Sequence, residues 1–106
     1  MPAASPAGRP TASKTVSVVH RQGLHARPAA LFVQLANRFA SRVTVRKGRK
    51  NVDGKSIMGL LTLAAKQGSR ISIVVDGPDA QEALAGLCRL VTEPLVEPSS
   101  SSFRQP

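Results

Sequence analysis

Apolar residues recur along this chain in two rhythms, and the changes of rhythm lay out its elements. Val16 and Val18, then Val43 and Val45, then Val52, then Ile71, Ile73 and Val75 follow a period of two. That alternation is expected of strands with one covered face and one wet face. It predicts strands over Lys14 to His20, Arg42 to Lys47, Lys50 to Asp53 and Arg70 to Asp76. Between them, apolar residues return at helical spacing and predict helices over Ala26 to Phe39, Ser56 to Ala64 and Asp79 to Thr92. Leu31, Leu35 and Phe39 on the first helix, and Leu84, Leu87 and Val91 on the last, are the expected core-facing stripes. Gly48 falls in an expected hairpin turn, Asp79 can cap the last helix, and Pro94 discourages its continuation. The order is βαββαβα: an α/β chain of the α+β kind, one layer of helices on one sheet.

Length and composition set the limits of this picture. A chain of 106 residues fits one small domain and leaves no room for a second core. Residues 1–13 and 98–106 are poor in large apolar side chains, so disordered tails are expected on either side of a domain at 14–97. The first ten residues hold prolines and small residues but no apolar h-region, which argues against a secretory signal and makes the cytoplasm the default location. No apolar run approaches the ~20 residues that cross a bilayer. The single cysteine, Cys88, cannot form an internal disulfide and sits among Leu84, Leu87, Leu90 and Val91, as a buried structural thiol would.

The formal charge is +9, and the excess is concentrated. Arg42, Arg46, Lys47, Arg49, Lys50 and Lys55 lie in or beside the second and third strands, opposed nearby by Asp53 alone. Such a patch can bind nucleic acid, attract acidic partners, or be a solvated hairpin. The chain has no Trp or Tyr and only Phe32, Phe39 and Phe103, so it offers no stacking platform for single strands. No groove-reading motif is present. Faster encounter with acidic protein partners is the better reading, with a nucleic-acid-binding module as the alternative from another class.

The candidate chemistry lies where the first strand gives way to the first helix, in Gly23-Leu24-His25-Ala26-Arg27-Pro28-Ala29. Gly23 can take backbone angles closed to other residues, and Pro28 suits a first helical turn. His25 is thereby expected at or next to the N-cap. A helix start points amides and the positive end of the macrodipole at any anion placed there, and Arg27 adds a charged fork. Neutral imidazole has the lone pair needed to attack phosphorus. The residues alone stop at an anion site containing a histidine, or a histidine that is only a cap. Ser56, before an apolar stretch, reads equally as a plain helix cap. His20 and His25 are five apart and Cys88 is remote, so no metal set emerges, and His20 reads as a strand-end residue. Lys47-Gly48-Arg49-Lys50 lacks the glycine spacing of a phosphate-binding loop.

The block from Gly23 to Ala30 resembles the active-site signature of the HPr family, histidine-containing phosphocarriers of the bacterial phosphoenolpyruvate-dependent sugar phosphotransferase system. Gly54-Lys55-Ser56-Ile57-Met58-Gly59-Leu60-Leu61 resembles that family's regulatory-serine segment, at the family's usual distance from the histidine block. The likeness runs from about Lys14 to Glu97. It implies an open-faced sandwich with a four-stranded antiparallel sheet and three helices on one face. It implies that His25 accepts a phosphoryl group from enzyme I and passes it to an enzyme IIA domain, with Arg27 stabilising the charge. Ser56 would be the serine modified by HPr kinase/phosphorylase, adding about −1.5 to −2 charges at neutral pH. Ile57, Met58 and Leu61, with Ala30, Gln34 and Asn37 of the first helix, would form the docking surface. The implied protein is monomeric, without cofactor or metal, and acted on by enzymes more than an enzyme itself. A regulatory or nitrogen-branch carrier using the same histidine is the alternative within the family.

Overall fold

The computed structural model describes residues 11–93. In chain order the elements are β1 (Thr11–Ser17), α1 (Ala26–Ala36), β2 (Arg42–Lys47), β3 (Lys50–Asp53), α2 (Ile57–Leu63), β4 (Arg70–Asp76) and α3 (Ala80–Thr92). The strands form one sheet in the order β1-β4-β2-β3, with every neighbouring pair antiparallel. Val16, Val43, Val45, Ile71, Ile73 and Val75 are buried on its covered face, and Val52 packs at the margin. The other face carries Thr15, Ser72, Thr44, Arg46 and Asn51 in register across the strands. α3 lies over β1 and β4, α2 over β3 and β2, and α1 packs against both helices. The period-two reading therefore placed the sheet, its covered face and the element order.

Several boundaries and one stripe need correction. β1 begins at Thr11, inside the stretch expected to be a tail, and Ala12 joins the core. It ends at Ser17, because Val18 pairs with a loop instead, its N–H donating to Ser69 O at 2.9 Å. α1 stops at Ala36 and tightens, with Arg38 N–H donating to Leu35 O and Phe39 N–H to Ala36 O. The rest of the expected tails, 1–10 and 98–106, and Pro94 lie outside the described residues.

The buried residues of α1 are Pro28, Ala29, Phe32, Val33 and Ala36, not Leu31, Leu35 and Phe39. Leu31 is 38% exposed, while Leu35 and Phe39 are partly buried against the core. Almost every position from 28 to 36 is apolar, so period alone did not select a face. Small Ala29 and Ala36 face inward and let the helix sit close, with Phe32 between them filling the core. On α3 the expected Leu84, Leu87 and Val91 are buried, as is Cys88.

Asp79 occupies the N-cap position of α3, but its side chain makes no capping bond. Its carboxylate instead accepts the backbone N–H groups of Ala40 and Ser41 at 2.9 and 3.1 Å, and the Ser41 hydroxyl. Ser41 is 1% exposed, so this clasp joins the loop entering β2 to the loop leaving β4.

Candidate functional site

The path from β1 to α1 is tied down at almost every residue. Val19 N–H donates to Val91 O at 3.3 Å, and buried His20 donates from Nε2 to Leu90 O at 3.0 Å. His20, read as a strand-end residue, thus lies just past the strand and fastens it to the end of α3. Gly23 N–H donates to His20 O at 2.8 Å, and His25 N–H to Gly23 O at 2.9 Å, which folds the chain sharply back. Gly23 has φ +74°, and a Cβ there would stand 2.3 Å from Ala65 O and 2.9 Å from Lys66 Cα. Only glycine allows so close an approach of two backbones. Leu24 N–H completes the seam by donating to Ala65 O at 2.9 Å.

His25 emerges from this turn as the N-cap of α1, in extended conformation. Its carbonyl accepts Ala29 N–H at 3.0 Å, while its side chain makes no capping bond. The imidazole is half-buried and borders an open, shallow pocket formed with Gln22, Leu24, Leu61, Ala64 and Lys66. No carboxylate lines it. Pro28 is buried in the first turn, and Arg27 lies there exposed, with no acidic residue in that turn. A cation at a helix start opposes the macrodipole by about 0.3–1 kcal/mol. A bound anion would reverse that sign. Ala64, on the pocket wall, has φ +53°, a conformation costing a non-glycine residue about 1–2 kcal/mol. Neither this strained alanine nor Lys66 carried a signal in the sequence pattern.

Ser56 is the N-cap of α2, its Oγ accepting Gly59 N–H at 3.0 Å. Beyond it Ile57, Met58 and Leu61 are 41%, 71% and 37% exposed, an apolar patch that reaches His25 through Leu61. On α1, Gln34 and Asn37 are exposed and Ala30 is half-buried, at spacings of four and three residues on one side of the helix. The residues proposed from the sequence for docking therefore lie on accessible or half-buried surface, Leu61 beside the α1 start and Ala30, Gln34 and Asn37 running along α1 to its C-cap.

The basic cluster divides in the structure. Lys50 Nζ donates to Thr62 O at 3.0 Å and Lys55 Nζ to Phe39 O at 2.9 Å, so two of its six cations are engaged, one at the end of α2 and one in the turn after α1. Asp53 takes the Lys55 N–H at 2.9 Å. Arg42 stands opposite Asp76 in the sheet, while Arg46, Lys47 and Arg49 crowd the hairpin end. Burial pushes the Cys88 thiol up from its ordinary pKa, against a smaller opposing pull from Lys14. Among the described residues no three or more His, Cys, Asp or Glu side chains could hold a metal ion, and no helix is long and apolar enough to cross a membrane.

The chain is similar to known proteins of one family in sequence and fold. The family model described as the PTS HPr component phosphorylation site matches residues 12–93. The HPr-like protein Crh of Halalkalibacterium halodurans is 50% identical over 78 residues, 74% of this chain and 93% of that relative. The phosphocarrier protein HPr of Treponema pallidum is 49% identical over 77 residues, 73% of this chain and 88% of that protein. The crystal structure of a phosphocarrier protein HPr from Bacillus anthracis superposes with a TM-score of 0.75 at 49% identity, covering 77% of this chain and 98% of that one.

Proposed function

This chain belongs to the HPr family of phosphocarrier proteins, and from that premise we propose that it accepts a phosphoryl group on His25 from phosphorylated enzyme I and passes it to an enzyme IIA domain. One observation carries the assignment to His25: a half-buried imidazole at a helix start, unused as a cap, beside an open pocket without carboxylates. In the accepting step a ring nitrogen lone pair forms a bond to phosphorus while the donor's bond to phosphorus breaks. The proton displaced from the imidazole leaves with the donor or water. Transfer onward reverses these roles.

Arg27 counters the charge of the phosphoryl group as it arrives and departs. The helix start supplies a fixed dipole of the same sign, available without rearrangement. Ile57, Met58 and Leu61, with Ala30, Gln34 and Asn37, form the contact face for both partners. Phosphorylation of Ser56 by a kinase of the HPr kinase/phosphorylase type would put about two negative charges beside this face and repel acidic partners. The reading places the protein in the cytoplasm, as a monomer that other enzymes act upon.

The test is incubation with phosphoenolpyruvate and a competent enzyme I, followed by mapping of the label. Acid-labile, alkali-stable phosphate on His25, lost in His25→Ala, is the expected result. No label would refute the reading. A regulatory carrier using the same histidine is the second reading, since an HPr-like protein, Crh, is as similar to this chain at 50% identity as a phosphocarrier protein HPr is at 49%. Label that enters His25 but is not passed to enzyme IIA domains would select it.

A further inference from the structure

We infer that Lys66 is a second cation for the phosphoryl group on His25, its backbone held beside the site by the Gly23 turn and its side chain reaching it from the segment after α2. The inference rests on the assignment of His25 above and adds a residue to its binding machinery.

Lys66 follows α2, while Arg27 lies in the first turn of α1, so the two cations reach the site from separate elements. The backbone of Lys66 is fixed with respect to His25. Its N–H donates to Ser69 Oγ at 2.9 Å, and its carbonyl accepts Ser69 N–H at 2.9 Å. Its Cα is so close to Gly23 that a Cβ on the glycine would lie 2.9 Å away. Leu24 N–H, bonded to Ala65 O at 2.9 Å, locks the two segments in register immediately before both His25 and Lys66. Lys66 lines the same pocket as His25, and no acidic side chain does. It makes no ion pair among the described residues. Lys66 is exposed, and a flexible ammonium on a residue lining a carboxylate-free pocket is available to a dianion there.

The consequence can be measured without any protein partner. Phosphoramidate phosphorylates imidazole directly: the ring nitrogen bonds to phosphorus, the P–N bond of the reagent breaks, and ammonia leaves carrying the imidazole proton. The 31P resonance of the resulting phosphoprotein, followed against pH at low salt, reports the second ionisation of the phosphoryl group. A nearby cation favours the dianion, so its removal raises the midpoint. Lys66→Gln should raise it by on the order of 0.2–0.7 pH units, the range of an exposed charge pair, and Lys66→Arg should restore it. The difference should shrink in high salt. Lys14→Gln, on the β1 edge beside α3, is the control for loss of net charge and should leave the midpoint in place. A Lys66→Gln midpoint equal to the parent, or matched by Lys14→Gln, would overturn the role of Lys66 while leaving His25 as the carrier. Failure of phosphoramidate to label His25 would instead remove the reading on which both depend.

Discussion

The sharpest test of how His25 is presented is Gly23→Ala, paired with Gly48→Ala. Both glycines have positive φ, +74° and +60°, so an alanine at either carries the backbone penalty of about 1–2 kcal/mol. Their surroundings differ. A Cβ at Gly48 meets nothing within 4 Å, whereas one at Gly23 falls 2.3 Å from Ala65 O and 2.9 Å from Lys66 Cα. Both obstacles are main-chain atoms and cannot swing aside. The turn must lift off, straining the Leu24 N–H bond to Ala65 O, worth about 0.5–1.5 kcal/mol, and adding an overpacking cost of about 1–3 kcal/mol. Gly23→Ala should therefore cost about 3–5 kcal/mol and Gly48→Ala about 1 kcal/mol. With a urea m-value of about 1 kcal/mol/M for a domain this small, the midpoints should fall by about 3–5 M and about 1 M. Phosphoryl acceptance at His25 should fall in the first variant and persist in the second. Equal midpoints for the two variants would refute the idea that close backbone contact, more than φ alone, holds the site.

Other expectations follow from particular contacts. The Ser41 hydroxyl, then the Ala40 amide, hold the Asp79 carboxyl below its ordinary pKa. A depressed carboxyl contributes stability above the unfolded value of about 4 and loses it as pH falls through the folded value, so Asp79→Asn should reduce the acid-side drop in urea midpoint; an undiminished drop would count against the clasp. Phe32→Ala, at a fully buried site, should cost about 3–5 kcal/mol by denaturant titration, and Leu31→Ala less than about 1 kcal/mol. Ser56→Ala should cost about 0.5–2 kcal/mol in the same titration through loss of the α2 cap. Charge reversal at Arg46 and Arg49 should slow association with enzyme I in stopped-flow measurements at low salt, with the difference closing as ionic strength rises.

How much of this was legible in the sequence depended on whether one physical effect dominated. Strand alternation did, because a one-residue slip would turn Val43, Val45, Ile71, Ile73 and Val75 out to water, and so the sheet face followed from the pattern. Gly48 and the N-cap positions of His25 and Ser56 were legible for the same reason, each having a local backbone requirement. The buried face of α1 was not, since leucines and alanines competed there and the choice fell to shape: Ala29 and Ala36 allow a close approach that Leu31 would block. Asp79 looked like a cap because its type and position suited one, yet Ser41 and Ala40, 38 and 39 residues earlier, captured its carboxylate. Ala64 gave no sign of its left-handed conformation, because no glycine or asparagine marks the end of α2. Long-range contacts decided each of these cases.

The same distinction governs the cations. In sequence, Lys50 and Lys55 are indistinguishable from Arg46, Lys47 and Arg49, and all five read as one patch. In the fold, the first two spend their ammonium groups on the carbonyls of Thr62, in the last turn of α2, and Phe39, in the turn after α1. Lys66, far along the chain and outside that run, stands at the histidine's pocket. Local charge density thus gave no hint of the lysine that lines this pocket. The pocket's lack of a carboxylate fits the same logic. A carrier that must both accept and surrender phosphate gains from cations that stabilise the charge evenly in both directions, and it can leave the remaining acid–base chemistry to its partners. Such a protein must meet those partners through surface already exposed in the free state. Under the proposed docking role, the 71% exposure of Met58, next to half-exposed Ile57 and Leu61, would supply apolar area whose burial favours a docked partner.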